Sequence, residues 1–67
     1  MFPKGMKIYG RKGTTYEKVA GQVMGTFTPC QLVGCRGLRV WLIWPDGKKT
    51  KPCSEGIIKD GNVWRIQ

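Results

Sequence analysis

The chain has 67 residues, with twelve Lys and Arg against four Asp and Glu, no histidine and a formal net charge of +8. That length holds one domain around one small core, while the lack of histidine excludes the Ser-His and Cys-His nucleophile pairs and the commonest general base near neutral pH. With 40% hydrophobic and 10% aromatic residues the chain is expected to fold, and its charge makes polyanions, nucleic acid first, the partner class to test, against the plain reading that the charge serves solubility.

Residues 1–5, Met1-Phe2-Pro3-Lys4-Gly5, lack the apolar core of a secretory leader and are expected as a flexible tail. No stretch approaches membrane-spanning length, so no membrane partner is expected and a reducing cytoplasm is the default. A first strand is predicted over Met6–Gly10, followed by the basic turn Arg11-Lys12-Gly13. A second runs from about Tyr16 to Thr28, with Val19, Gly21, Val23, Gly25 and Phe27 on one face and Lys18, Gln22, Thr26 and Thr28 on the other. Gly21 and Gly25 suit a bulge or strong bend.

Thr28 to Gly37 reads as a loop. Leu38–Trp44, the turn Pro45-Asp46-Gly47 and a strand from Lys48 to about Pro52 form a predicted hairpin, with a type I turn and a glycine bulge. A three-residue loop sets Trp44 opposite Lys48, Ile43 opposite Lys49, Leu42 opposite Thr50, Trp41 opposite Lys51 and Arg39 opposite Cys53. One face then holds Leu38, Val40, Leu42, Trp44, Thr50 and Pro52 and is assigned to the core. The other holds Arg39, Trp41, Ile43, Lys49, Lys51 and Cys53, an indole and an isoleucine among cations. A one-residue slip would exchange the two faces.

Residues 53–56 are expected to make a single helical or 3-10 turn, Ile57-Ile58 is apolar, and Asp60-Gly61-Asn62 turns the chain into a closing strand, Val63–Ile66. The expected fold is all-β: one domain, a five-stranded small barrel or strongly curved antiparallel sheet, with a short 3-10 turn before the last strand.

The order of "AGQVMGTF", "LRVWLIWPDGKKTKP" and "VWRI" resembles Src-homology-3-like small barrels such as Tudor, KOW and retroviral-integrase C-terminal domains. That resemblance implies a binder of nucleic acid or of protein tails. A Tudor-type cage needs several converging aromatics from loops, and only Trp44 at the hairpin tip is an obvious candidate. "GQVMG" is also similar to part of the type II dihydrofolate reductases, tetramers of the same barrel architecture whose pore depends on a V-Q-I-Y segment. Val63-Trp64-Arg65-Ile66 lacks it, so the activity is not carried over.

The leading expectation is a non-enzymatic, small basic protein that binds DNA or RNA with low sequence specificity through Arg39, Trp41, Lys49 and Lys51. Lys7, Arg11, Lys12 and Lys18 serve as secondary phosphate contacts. The alternatives are a self-assembling or protein-interaction module with Trp41 and Ile43 in an interface, its positive charge suited to an acidic protein partner, and an oligomeric pore enzyme like the reductases. No cofactor and no metal are expected. Cys30, Cys35 and Cys53 could meet in space and offer three thiolates to zinc, whereas a closed zinc site takes four ligands, and the spacing from Cys30 to Cys35 is not that of a zinc knuckle.

Overall fold

A computed structural model of the protein describes residues 2–67. Six strands are present: β1 (Lys7–Tyr9), β2 (Ala20–Pro29), β3 (Leu38–Ile43), β4 (Lys49–Thr50), β5 (Ile57–Asp60) and β6 (Val63–Ile66), with one 3-10 turn, Ser54–Gly56, ahead of β5. They form a single sheet in the order β4-β3-β2-β1-β6-β5, strongly curled into a half-barrel. The all-β class holds, and the half-barrel is compatible with a small barrel. Two features differ from expectation.

First, there are six strands rather than five, because Ile57–Asp60 pairs with Val63–Ile66 across the two-residue turn Gly61-Asn62. Gly61 takes φ +61 there, a left-handed position suited to glycine in such a tight turn. Second, the sheet is mixed. β1 and β6 run parallel, with Ile8 opposite Trp64 and Tyr9 opposite Arg65, while every other neighbouring pair is antiparallel. Residues so distant in sequence leave no local sign that they pair.

The hairpin forms in the expected register. Leu42 lies opposite Thr50, Ile43 opposite Lys49 and Arg39 opposite Cys53. Its tip is closed by Trp44 N–H donating to Lys48 O (2.9 Å), Gly47 N–H to Trp44 O (2.8 Å) and Lys48 N–H to an Asp46 carboxylate oxygen (3.0 Å). The bend in β2 falls where glycine permits it. Gln22 and Val23 pair with Ile43 and Leu42, but the next pair is Phe27 with Val40, so Met24, Gly25 and Thr26 stand opposite Trp41 alone. Gly25 takes φ +91 at this bulge. β2 itself starts later than expected, at Ala20, because Tyr16 O accepts from Gly10 N–H (2.9 Å) and Val19 N–H (3.0 Å) and folds the preceding segment into a turn.

Strand alternation sends Ile8, Val23, Val40, Leu42, Trp44 and Ile57 into the concave side of the half-barrel, where Phe2 joins them. Leu38, expected inside, lies at the rim and is 39% exposed. Residues 2–5, read from the sequence as part of a tail, are tied down: the Phe2 ring is buried edge-on to Trp64 (centroids 6.1 Å apart, planes at 83°), and Gly5 N–H donates to Val23 O at 2.8 Å. Met1 lies outside the described residues. Among the described residues no buried side-chain nitrogen or oxygen lacks a hydrogen-bond partner, and no helix is long and apolar enough to cross a membrane.

Candidate functional site

The pairing of four strands places five of the predicted residues, Lys7, Arg39, Trp41, Lys49 and Lys51, on the convex face. Lys7 is opposite Gln22, Gln22 opposite Ile43, and Ile43 opposite Lys49, so these four side chains make one row across β1, β2, β3 and β4. Strands lie about 4.8 Å apart, which gives the row a span of roughly 14 Å. Ile43 is 37% exposed within it. Alternation puts the next outward residues two positions along, and there Lys51 holds its ammonium 5.0 Å from the centroid of the half-buried Trp41 ring. One step further, Thr28 is opposite Arg39 and Arg39 opposite Cys53.

Trp41 is fixed at both ends of its indole. Nε1–H donates to Thr28 Oγ1 at 3.3 Å, and the Lys51 cation rests on the ring, a contact worth about 0.5–1 kcal/mol at an exposed site. Arg39 donates to the Lys51 carbonyl at 3.3 Å, bringing its charge alongside. Thr28, Pro29, Gln31, Arg39, Trp41 and Lys51 line an open groove of about 480 Å³. Among the described residues, ion pairs involve Lys12 and Arg65 alone, both on Asp60. The cations of the convex face therefore keep their charge for an external anion.

The first-turn residues divide. Lys7 joins the hairpin face through the register. Arg11 and Lys12 lie at the opposite end of the sheet beside Asp60 and Arg65, around a separate cavity of about 270 Å³. Lys12 Nζ is 3.6 Å and Arg65 Nε 2.9 Å from the Asp60 carboxylate; the Arg65 hydrogen bond, then the Lys12 charge, hold that carboxyl below its usual range. Lys18 is exposed on the same loop. Arg65, for which the sequence suggested no role, is a strut: it also donates to Gly10 O (2.9 Å) and Glu17 O (2.6 Å), tying the loop between β1 and β2 to β6.

Trp44 belongs to the core and offers no cage wall. It is 3% exposed, stacked on Tyr16 with centroids 4.4 Å apart, and donates from Nε1 to Thr50 Oγ1 at 2.9 Å. A Cβ at Gly21 would lie 2.9 Å from the indole, so glycine is what lets the ring lie against β2. Tyr16 O–H donates to Asp46 at 2.6 Å, a bond that raises the tyrosine pKa and lowers that of the aspartate.

The fold also brings together three cysteines that lie apart in the sequence. Cys30 follows β2, Cys35 lies in the loop before β3, and Cys53 precedes the 3-10 turn, yet their three Sγ atoms all lie within 4.8 Å of one another. The β2–β3 pairing places Pro29 opposite Leu38, and Cys30 N–H donates to Gly37 O at 3.2 Å, which brings both loop cysteines to the Cys53 end of the hairpin. A register for β2 against β3, which the sequence did not supply, was the missing signal. Comparison of the chain with models of known families, with characterised proteins and with solved structures found no match, so its fold and its side-chain geometry carry the functional reading.

Proposed function

We propose that the protein binds nucleic acid, single strands in preference to duplex, with low sequence specificity, through the convex face that carries Lys7, Arg39, Trp41, Lys49 and Lys51. The observation supporting this reading is the half-buried Trp41 indole, pinned by Thr28 and Lys51 at the floor of an open groove and surrounded by cations without an ion pair. A base stacked on such a ring contributes about 1–3 kcal/mol, and phosphates beside it displace counterions from the lysines and arginine. No element is suited to entering a major groove, which favours backbone and stacking contacts over base-edge readout. We read the half-barrel as a Src-homology-3-like small barrel, acting as a binding module rather than an enzyme, in a reducing cytoplasm that keeps its three free thiols reduced.

The test is a fluorescence-anisotropy titration of labelled single- and double-stranded oligonucleotides over a range of salt, with tryptophan emission recorded in parallel. Four phosphate contacts give a slope of log affinity against log salt of about −3 for single strands and about −3.5 for B-DNA. Tryptophan emission should fall as the strand binds. No binding at low salt overturns the proposal, and a stable oligomer that shields Trp41 from a soluble quencher assigns this face to a protein interface instead.

A further inference from the structure

We propose that Cys30, Cys35 and Cys53 form a binding site for one zinc ion, with an oxygen donor completing a tetrahedron. The sulfur geometry is the basis. Tetrahedral Zn–S bonds of about 2.3 Å set S···S separations near 3.8 Å. Cys35 Sγ and Cys53 Sγ are 3.4 Å apart, and all three sulfurs fall within 4.8 Å. Small side-chain adjustments bring them to bonding distance.

The surroundings fit a thiolate cluster. Gly37 N–H points at Cys35 Sγ from 3.4 Å, and a Cβ at Gly37 would lie 2.7 Å from Cys53 Sγ, so the backbone approaches the sulfurs as closely as glycine allows. The same point lies 2.9 Å from Glu55 Cγ and 3.0 Å from Ser54 Oγ, so these side chains also crowd the backbone at Gly37. The Glu55 carboxylate stands outside the group of three sulfurs, and the fourth position falls to a solvent oxygen. Binding forms three Zn–S bonds and releases the three thiol protons to solvent, with no change in oxidation state.

Three thiolates are soft donors, which suit borderline-soft zinc better than magnesium or calcium. The ion would fasten the loop from Cys30 to Gly37 onto the base of the hairpin. Gln31, a neighbour of Cys30 in that loop, lines the Trp41 groove, so the two sites share a wall. The zinc proposal does not depend on nucleic-acid binding.

The experiment starts from protein purified under reductant and freed of metal by a chelator, with three free thiols confirmed by titration. Cobalt(II) is then added as a spectroscopic probe, followed by zinc. One equivalent of cobalt should produce intense tetrahedral d–d bands with sulfur-to-metal charge transfer, and one equivalent of zinc should remove them. Zinc should also raise Tm in step with the logarithm of its free concentration. Cys30→Ser, Cys35→Ser and Cys53→Ser should each abolish the charge-transfer signal or weaken binding at least 100-fold, while Glu55→Ala should leave both the sulfur bands and the affinity in place. For any variant that does not fold, protection of the wild-type thiols from alkylation by equimolar zinc serves in its place. Absent charge transfer with all thiols free, bands that survive the serine substitutions, or thiols that zinc does not protect would each overturn the proposal.

Discussion

Replacing Trp41 with alanine separates binding from folding, and the structure sets both magnitudes. The substitution removes one cation–π contact, about 0.5–1 kcal/mol, one long hydrogen bond to Thr28, toward the lower end of about 0.5–1.5 kcal/mol, and the apolar contact of a half-buried ring, about 1 kcal/mol. The stability loss should be about 2–3 kcal/mol, a Tm decrease of roughly 8–24 °C in a domain of this size. Affinity for a single-stranded oligonucleotide should fall roughly 5- to 150-fold, the equivalent of one stacked base. Trp44→Ala supplies the contrast, because that ring is buried against Tyr16 and Gly21 and its loss costs about 3–5 kcal/mol. Such a loss is comparable with the total stability of a domain this short, roughly 3–10 kcal/mol. Thermal denaturation followed by circular dichroism, with anisotropy titrations on the same samples, reads both quantities. Unchanged affinity in Trp41→Ala, together with a loss of stability on the scale of Trp44→Ala, would refute the assignment of Trp41 to a binding surface.

Three further substitutions test contacts away from that face. Gly21→Ala pushes a methyl group to 2.9 Å from the Trp44 indole and should destabilise the fold by about 1–3 kcal/mol, visible as a lower Tm and altered near-ultraviolet dichroism; an unchanged Tm would mean the ring does not lie against β2. Asp46 and Asp60 have folded pKa values lowered by Tyr16 and Arg65 respectively, so their contribution to stability is present above the unfolded carboxylate value of about 3.9 and is lost as pH falls through the lower folded values. Tyr16, raised by the same Asp46 bond, carries stability present below its ordinary value of about 10 and lost as pH climbs through the higher folded one. Asp60→Asn should therefore flatten the acid limb of a Tm-against-pH profile and Tyr16→Phe the alkaline limb, and unchanged limbs would contradict these pairings.

The hairpin was legible because independent signals agreed on it. Pro45-Asp46-Gly47 fixed the loop length, the loop length fixed the register, and the alternation from Arg39 to Trp44 chose the buried face. The β2 bend was legible for a related reason, since glycines at alternating positions weaken a strand where it must curve. What escaped was non-local. β5 is four residues long, and two isoleucines followed by Lys59 and Asp60 show no alternation of apolar and polar residues that would mark a strand. Phe2 is held by Trp64, and Arg65 acts on carbonyls at Gly10 and Glu17, none of which is near in sequence. The meeting of the three cysteines likewise depends on how β2 lies against β3, which no residue pattern encodes by itself.

The parallel contact of β1 with β6 also governs how the chain reaches its fold. β1 is an interior strand, flanked by β2 on one side and by a strand from the other end of the described chain on the other. Until Val63–Ile66 docks, β1 keeps an unpaired row of amides and the Phe2 ring lacks Trp64. Closing that long loop comes before any of its contacts can repay the lost chain entropy. Folding should therefore be slow for so small a domain and end in one concerted closing step, with an unpaired edge exposed to neighbouring molecules in the interval.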